Sequence, residues 1–145
     1  MEIRLRPPKA GDEPELARLC GEMGYPSTAE QVAARLTALS DRDDHLVLVA
    51  ATAQDRPAAW VHAHLSFRVV ADAFAELGGL VVGETHRSQK VGERLLLAAE
   101  DWWRSQGATV FRVRSNALRE RAHRFYLRAG YQQLKTSFVF EKTLT

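Results

Sequence analysis

Residues 77–96, LGGLVVGETHRSQKVGERLL, decide the fold. The apolar run Leu80-Val81-Val82 closes a strand that begins at Phe74. A polar loop, His86-Arg87-Ser88-Gln89-Lys90, then carries the chain into an amphipathic helix with Gly92 just inside it. A strand that feeds a helix N-terminus in this way exposes several backbone N–H groups where the helix dipole adds partial positive charge. That combination suits a phosphate or pyrophosphate. Arg87 and Lys90 add formal charge, and Gly92 lets a ligand approach the main chain. An ordinary basic turn before a helix has the same spacing, so the junction alone leaves both readings open.

Downstream, the helix has a stripe of Val91, Leu95, Ala98 and Trp102, broadened by Leu96, Ala99 and Trp103, and Gly107 closes it. Val110–Arg114 alternates as a strand. Leu118–Ala129 carries Ala122, Phe125, Tyr126 and Ala129 at helical spacing and ends at Gly130. Tyr131–Leu134 and Thr136–Lys142 read as two final strands. Upstream, Glu2–Arg6 is a short strand stopped by Pro7-Pro8. Asp12 and Pro14 mark a helix start, followed by the stripe Leu16, Leu19, Cys20, Met23 and the stop Gly24. Ser27 or Thr28 caps a second helix, with Glu30 three residues after Ser27 as in a capping box, and Val32, Leu36 and Leu39 form its apolar face.

His45–Ala50 is a continuous apolar run, as in a strand covered on both faces. After the turn Gln54-Asp55-Arg56-Pro57, a longer strand sends Val61, Ala63, Leu65, Phe67 and Val69 one way. Trp60, His62, His64, Ser66 and Arg68 go the other. The order β-α-α-β-β-β-α-β-α-β-β predicts an α/β (α+β) fold: a mixed, mostly antiparallel central sheet of about seven strands with helices on both faces. A chain of 145 residues predicts a single domain, 1–145.

Twenty Lys plus Arg against 18 Asp plus Glu leave a net charge of +2, too weak to argue for nucleic acid, and the interleaved exposed aromatics of such a surface are not evident. A 46% hydrophobic, 26% charged composition excludes a disordered chain. The lone Cys20 excludes an internal disulfide and a cysteine-built zinc site, and its place on an apolar stripe reads as core. No run of about 18 apolar residues suggests a membrane span, and Met1–Arg6 does not read as a signal peptide. A cytoplasmic protein is the expectation.

Arg87-Ser88-Gln89-Lys90-Val91-Gly92, following Leu80-Val81-Val82, resembles the acyl-CoA pyrophosphate loop of the GNAT superfamily of N-acetyltransferases, whose pattern runs Arg/Gln-x-x-Gly-x-Gly/Ala. Ala122-x-x-x-Tyr126-x-x-x-Gly130-Tyr131 resembles that family's second conserved helix and turn, and the element order agrees over nearly the whole chain. Lys90 stands at the first glycine of the pattern. Arg119 stands where many members have asparagine, which leaves Asn116 as the amide contact to the pantetheine arm. The resemblance implies a GNAT fold and transfer of an acetyl group from acetyl-CoA to a primary amine of a small molecule, aminoglycoside-like or an amino-acid derivative. It implies no metal. A protein amino group as acceptor, and an acyl-CoA-binding module without turnover, are the alternatives.

Under that resemblance the pantetheine arm pairs like an extra strand with the main chain of Leu80 and Val82, and an N–H near Leu80 or Val81 polarises the thioester carbonyl. Glu76, four residues before Leu80, is expected on the same strand face, where its position resembles that of a general-base glutamate; a solvated strand-start glutamate is the plain alternative. His62 and His64 share a face and would relay a proton, shape the pocket or simply line a half-exposed strand. Tyr126 is the candidate acid for the departing thiolate, against a role as buried aromatic. Glu22, Tyr25, Asp41, Asp43 and Asp44 would suit a cationic acceptor or be ordinary surface. Arg112 and Arg114 on one strand face, and Arg121, Arg124 and Arg128 on one helix side, would capture the CoA 3′-phosphate or an acidic substrate, or be solvated. The alternating segment Phe138–Leu144 would allow edge pairing in a homodimer.

Overall fold

The strand-like stretches fold into one sheet of five strands in the order β1-β2-β3-β4-β5. They are β1 (Arg4–Arg6), β2 (His45–Ala51), β3 (Pro57–Ser66), β4 (Phe74–Val82) and β5 (Phe111–Val113). The helices are α1 (Glu13–Glu22), α2 (Ala29–Ser40), α3 (Val91–Ser105) and α4 (Glu120–Arg128). The computed structural model describes residues 2–87 and 89–145, and the chain divides into one unit ending at Arg114 and another running from Ser115 to Thr145. Among the described residues no helix is long and apolar enough to cross a membrane.

In the first unit, neighbouring strands are antiparallel except β4 and β5, which run parallel because α3 carries the chain back between them. Val49, Trp60 and Val81 form one row across β2, β3 and β4, and the α1 and α2 side chains Leu16, Leu19 and Val32 pack on that row. The opposite sheet face carries Ala50, Val61, Ala63, Ala75 and Leu77, all buried, with α3 lying along β2, β3 and β4. Cys20 and Met23 are partly buried against the α1 side of this core. The α3 stripe is Val91, Leu95, Leu96, Ala99 and Trp103, while Trp102 is 44% exposed. Four-residue steps from Val91 drift round the helix and select Trp103 over its neighbour.

The helix starts differ in detail from the sequence pattern. The α2 capping box is Thr28 with Gln31, not Ser27 with Glu30: Gln31 N–H donates to Thr28 Oγ1 (3.1 Å), and Thr28 N–H to Gln31 Oε1 (2.9 Å). Asp12 precedes α1 but its side chain caps nothing there. Its carboxylate instead takes two hydrogen bonds from Arg6 (2.8 and 3.0 Å) and one from Lys9 N–H (2.9 Å). Burial alone would raise the Asp12 carboxyl; the Arg6 and Lys9 donors overcome that and hold it below its usual range. Arg6 Nε also reaches Asp55 in the β2–β3 turn (2.9 Å), so one guanidinium ties together β1, the α1 entry and that turn.

Strand β3 stops at Ser66, and Phe67 and Val69 lie exposed beyond it. In the second unit, α4 forms as expected, but residues 131–145 form no strand, so the two predicted C-terminal strands are absent from the described sheet. Phe138, Val139 and Phe140 are 85%, 90% and 92% exposed. An alternating stretch becomes a strand only with a ladder partner and a face to cover, and this unit offers a single helix with no buried residue.

Removing the Asp12 carboxylate by Asp12→Ala leaves Arg6, whose side chain is 11% exposed, without its bidentate partner. The variant is expected to lose about 2 kcal/mol, the cost of charge-assisted hydrogen bonds in a half-buried setting. Urea unfolding should give a lower midpoint with an unchanged slope.

Candidate functional site

Strand β4 carries one residue more than its partner. Ala63 pairs with Leu77 and His62 with Gly79, so Gly78 is the unpaired residue of a β-bulge. An extra residue inverts the alternation of side chains along the strand. Glu76, opposite His64, therefore lies on the face of His62, Gly79 and Val81, whereas Leu80, opposite Val61, lies on the other. The expectation that Glu76 and Leu80 share a face is overturned by this inserted glycine. A Cβ on Gly78 would sit 2.6 Å from His62 Nδ1, so the bulge has room for glycine alone unless His62 moves.

The same strand loses its second neighbour at the bulge. The β4–β5 ladder covers only Ala75, Glu76 and Leu77 against Phe111, Arg112 and Val113. Beyond it, Gly83 N–H donates to Ala58 O at the β3 side (2.8 Å), so by alternation the N–H and C=O of Leu80 and Val82 point away from β3. Val81 turns its own groups toward β3. The loop that follows is braced by Glu22 at the end of α1. Glu22 Oε1 accepts from Glu84 N–H (2.9 Å) and lies 3.4 Å from Arg87 Nη2, while Arg87 Nε donates to Val82 O (3.2 Å). Arg87 is thus spent on the protein, and Glu22 is a brace.

Ser88 lies outside the described residues. Gln89 is exposed. Lys90 adopts φ +60°, ψ +22°, the left-handed conformation that glycine takes without cost, and among the described residues no side chain caps the start of α3. Val91 is buried, so only its main chain faces the junction, and Gly92 follows within the helix.

One row of the sheet crosses four strands as His45, His64, Glu76 and Arg112. Spacing alone did not single out His45, because it heads an apolar run; it became visible only when β2 and β3 were placed in register. The rings of His45 and His62 stack 5.1 Å apart, those of His45 and His64 5.2 Å apart, and His45 Nδ1 and His62 Nε2 share a hydrogen bond of 2.9 Å. Burial, then the neighbouring His45 and His64, push His62 down to about 4, so it is neutral near pH 7. Among the described residues no His, Cys, Asp and Glu group is arranged to hold a metal ion. Glu76 is 6% exposed and is an ion-pair partner: Arg114 Nε donates to it, and Arg68 Nη2 lies 3.8 Å away. Asp44 pairs with Arg42 (3.0 Å).

In the second unit, burial raises the Tyr126 hydroxyl above its ordinary pKa. Its ring meets Phe125 and Tyr131 edge-on at 5.2 and 5.9 Å. Asn116 Oδ1 accepts from Leu118 N–H (2.9 Å) in the turn that leads to α4, so its side-chain oxygen is used locally.

A strand whose Leu80 and Val82 have no second strand beside them, followed by a strand–loop–helix junction, is what the family resemblance implied. Residues 14–131 match the Acetyltransferase (GNAT) family, and the chain belongs to it. Over 82 residues it is 42% identical to the aminoalkylphosphonate N-acetyltransferase of Salmonella typhimurium, a match taking in 56% of this chain and 52% of that enzyme. The chain thus spans about half the length of the curated relative it matches. The crystal structure of the aminoglycoside 6'-N-acetyltransferase AAC(6')-Ih from Acinetobacter baumannii matches with a TM-score of 0.85 at 17% identity, covering 99% of this chain and 100% of that one. Glucosamine-6-phosphate N-acetyltransferase from Arabidopsis thaliana gives 0.78 at 17% identity, covering 97% and 100%. At such identities the likeness is one of fold.

Two measurements check this geometry. A left-handed non-glycine residue costs about 1–2 kcal/mol, so Lys90→Gly should raise stability by about 1 kcal/mol, read as an upward shift in Tm. The folded-state pKa of His62 lies below its ordinary value, so the unfolded chain takes up that proton first. The His62 contribution to stability is therefore intact above about pH 6.5 and is lost as pH falls toward about 4. His62→Gln should flatten the Tm-against-pH curve over that window.

Proposed function

We propose that this chain is an N-acetyltransferase that moves the acetyl group of acetyl-CoA to a primary amine of a small molecule, with 1–145 acting as one catalytic domain. The observation that carries the reading is the end of the β4–β5 ladder at Leu77, which leaves Leu80 and Val82 without a second strand beside them and their main-chain groups directed away from β3, in a chain of the acetyltransferase family. The Val82 carbonyl is taken by Arg87 Nε. Among the described residues the N–H and C=O of Leu80 have no strand partner on that side, and the amides of a pantetheine arm supply one. The likeness to N-acetyltransferases supports an amine acceptor.

Acetyl-CoA supplies the thioester: the amine nitrogen attacks its carbonyl carbon, the C–S bond breaks, and the amine loses a proton while the departing sulfur gains one. In this chain the Leu80 N–H is the donor for the carbonyl oxygen, because the Val81 N–H is turned toward β3. Residues Arg87 to Gly92, including Ser88, Gln89, Lys90 and Val91, hold the pyrophosphate through main-chain N–H groups at the uncapped start of α3, with Lys90 adding an ammonium. Glu76 is the candidate base, with the neighbouring His64 and the neutral His62 available to pass the proton on. Asn116 remains the candidate amide contact to the pantetheine arm, and Tyr126 the candidate acid for the thiolate, each by its place in the family motif. A raised hydroxyl pKa keeps Tyr126 protonated and able to donate.

Thiol release from acetyl-CoA across a panel of small amines tests the reading. Turnover with at least one amine is expected. Calorimetric heat on adding acetyl-CoA without any thiol release would instead identify a binding module. In the active enzyme, Tyr126→Phe should lower kcat by about a hundredfold, the usual scale for a lost general acid, and leave acetyl-CoA affinity unchanged. An unchanged kcat would reduce Tyr126 to packing.

A further inference from the structure

Three guanidinium groups gather around the start of β4 against a single carboxylate. Arg68, two residues past the end of β3, and Arg112, on β5, both lie over the Phe74 ring, at 5.2 and 4.3 Å from its centroid. Arg114 donates to Glu76. Arg68 uses its Nε on Ser66 Oγ (3.2 Å) and approaches Glu76 at 3.8 Å, too far for a hydrogen bond. Among the described residues Arg112 has no carboxylate partner, and Asp72 in the intervening loop pairs with none of the three. The cluster carries an excess of two positive charges on the sheet face that also holds Glu76 and His64.

How Arg68 and Arg112 are held matters more than their number. A guanidinium lying over an aromatic ring is fixed in position by its face, and its N–H donors, which lie in its plane, stay available. An arginine locked in an ion pair has used those donors. Like charges crowded at one strand end are unfavourable unless an anion joins them. Such a fork of planar donors matches a tetrahedral oxyanion in a bidentate way. Polycationic amines meet like charge here, and Asp44 of the 41–44 segment is already taken by Arg42.

We propose that the amine acceptor carries a phosphonate or phosphate group, and that Arg68 and Arg112, laid over Phe74, form its anion subsite while Arg114 steadies Glu76 beside it. This rests on the acetyltransferase reading above and names the class of acceptor for the same site. Arg112 is the direct cross-strand neighbour of Glu76, and Phe74 lies two residues along the same strand, so a short aminoalkyl chain spans from the anion to the candidate base.

The test measures thiol release by the full chain with 2-aminoethylphosphonate, propylamine and kanamycin. The phosphonate amine is expected to give a kcat/KM at least about tenfold above the other two, the scale of one charge-assisted contact. Its KM should rise with salt, as for a charge-steered ligand. Arg68→Gln and Arg112→Gln should each lower kcat/KM for the phosphonate amine about tenfold, chiefly through KM, and narrow its preference over propylamine; Arg112→Lys should restore only part. Equal or better use of propylamine or kanamycin by the unaltered chain overturns the subsite while leaving the acetyltransferase reading intact. Titration with methylphosphonate in the presence of CoA reads the subsite without turnover. Binding that is lost in Arg112→Gln supports it even if no amine is acetylated, and no binding by the unaltered chain overturns it.

Discussion

A single unpaired glycine in β4 governs the arrangement of everything around it. Up to Leu77 the strand is held on both sides, by β3 and by β5; after Gly78 it keeps only β3. The extra residue bends the strand, and the three-residue parallel ladder to β5 ends just before it, at Leu77 and Val113. It also sets which side chains face which helices. Without the bulge, Glu76 would share the face of Leu80, on the α3 side, and the ionisable row of the sheet would be broken. With it, His45, His64, Glu76 and Arg112 form an unbroken line on the α1 side. The bulge thus sets side-chain placement, and His62, whose ring fills the space where a Gly78 side chain would stand, keeps that residue from being anything larger.

The face carrying that line is divided. At one end Val49, Trp60 and Val81 are covered by Leu16, Leu19 and Val32, an apolar seal that fixes α1 and α2 against the sheet. Glu22, at the last turn of α1, uses the rigidity of that seal to brace the 83–87 loop. At the other end the surface is ionisable and only partly covered. His62 there, desolvated and hydrogen-bonded to His45, stays neutral, and three arginines face one buried carboxylate. Apolar packing at one end leaves the other end free to bear charge that a packed core could not tolerate.

Much of this was legible in the sequence, for identifiable reasons. Phe74–Val82, the helix pair before the sheet and the strand-to-helix junction follow from alternation, capping residues and glycine stops, all local signals. The facing of Glu76 was not legible, because parity counted through Gly78-Gly79 assumes a regular pleat, and adjacent glycines are where a bulge is cheapest. His45 was hidden in an apolar run until the β2–β3 register set it opposite His64. Asp12 has the spacing of a helix cap, yet a cap competes with any nearby cation, and Arg6 offers two donors where the helix offers one. Phe138–Leu144 alternates well, but alternation states only what a strand would bury and does not supply the partner.

Lys90 stands where the loop it resembles has its first glycine. What a glycine contributes at such a position is access to a left-handed backbone, and it is the backbone, by its φ and ψ, that aims the following N–H groups outward. Lys90 holds φ +60° and ψ +22° with its side chain in place, so the aim is kept although the residue has changed. The strain of about 1–2 kcal/mol is carried by the packing of Val91 and Leu95 directly behind it, both essentially inaccessible. Arg87 beside it is tied to Glu22 and Val82 and brings little free charge to the junction. On the proposed acetyltransferase reading the lysine supplies the cation that Arg87 does not, and the positive charge of the loop is redistributed from one end to the other.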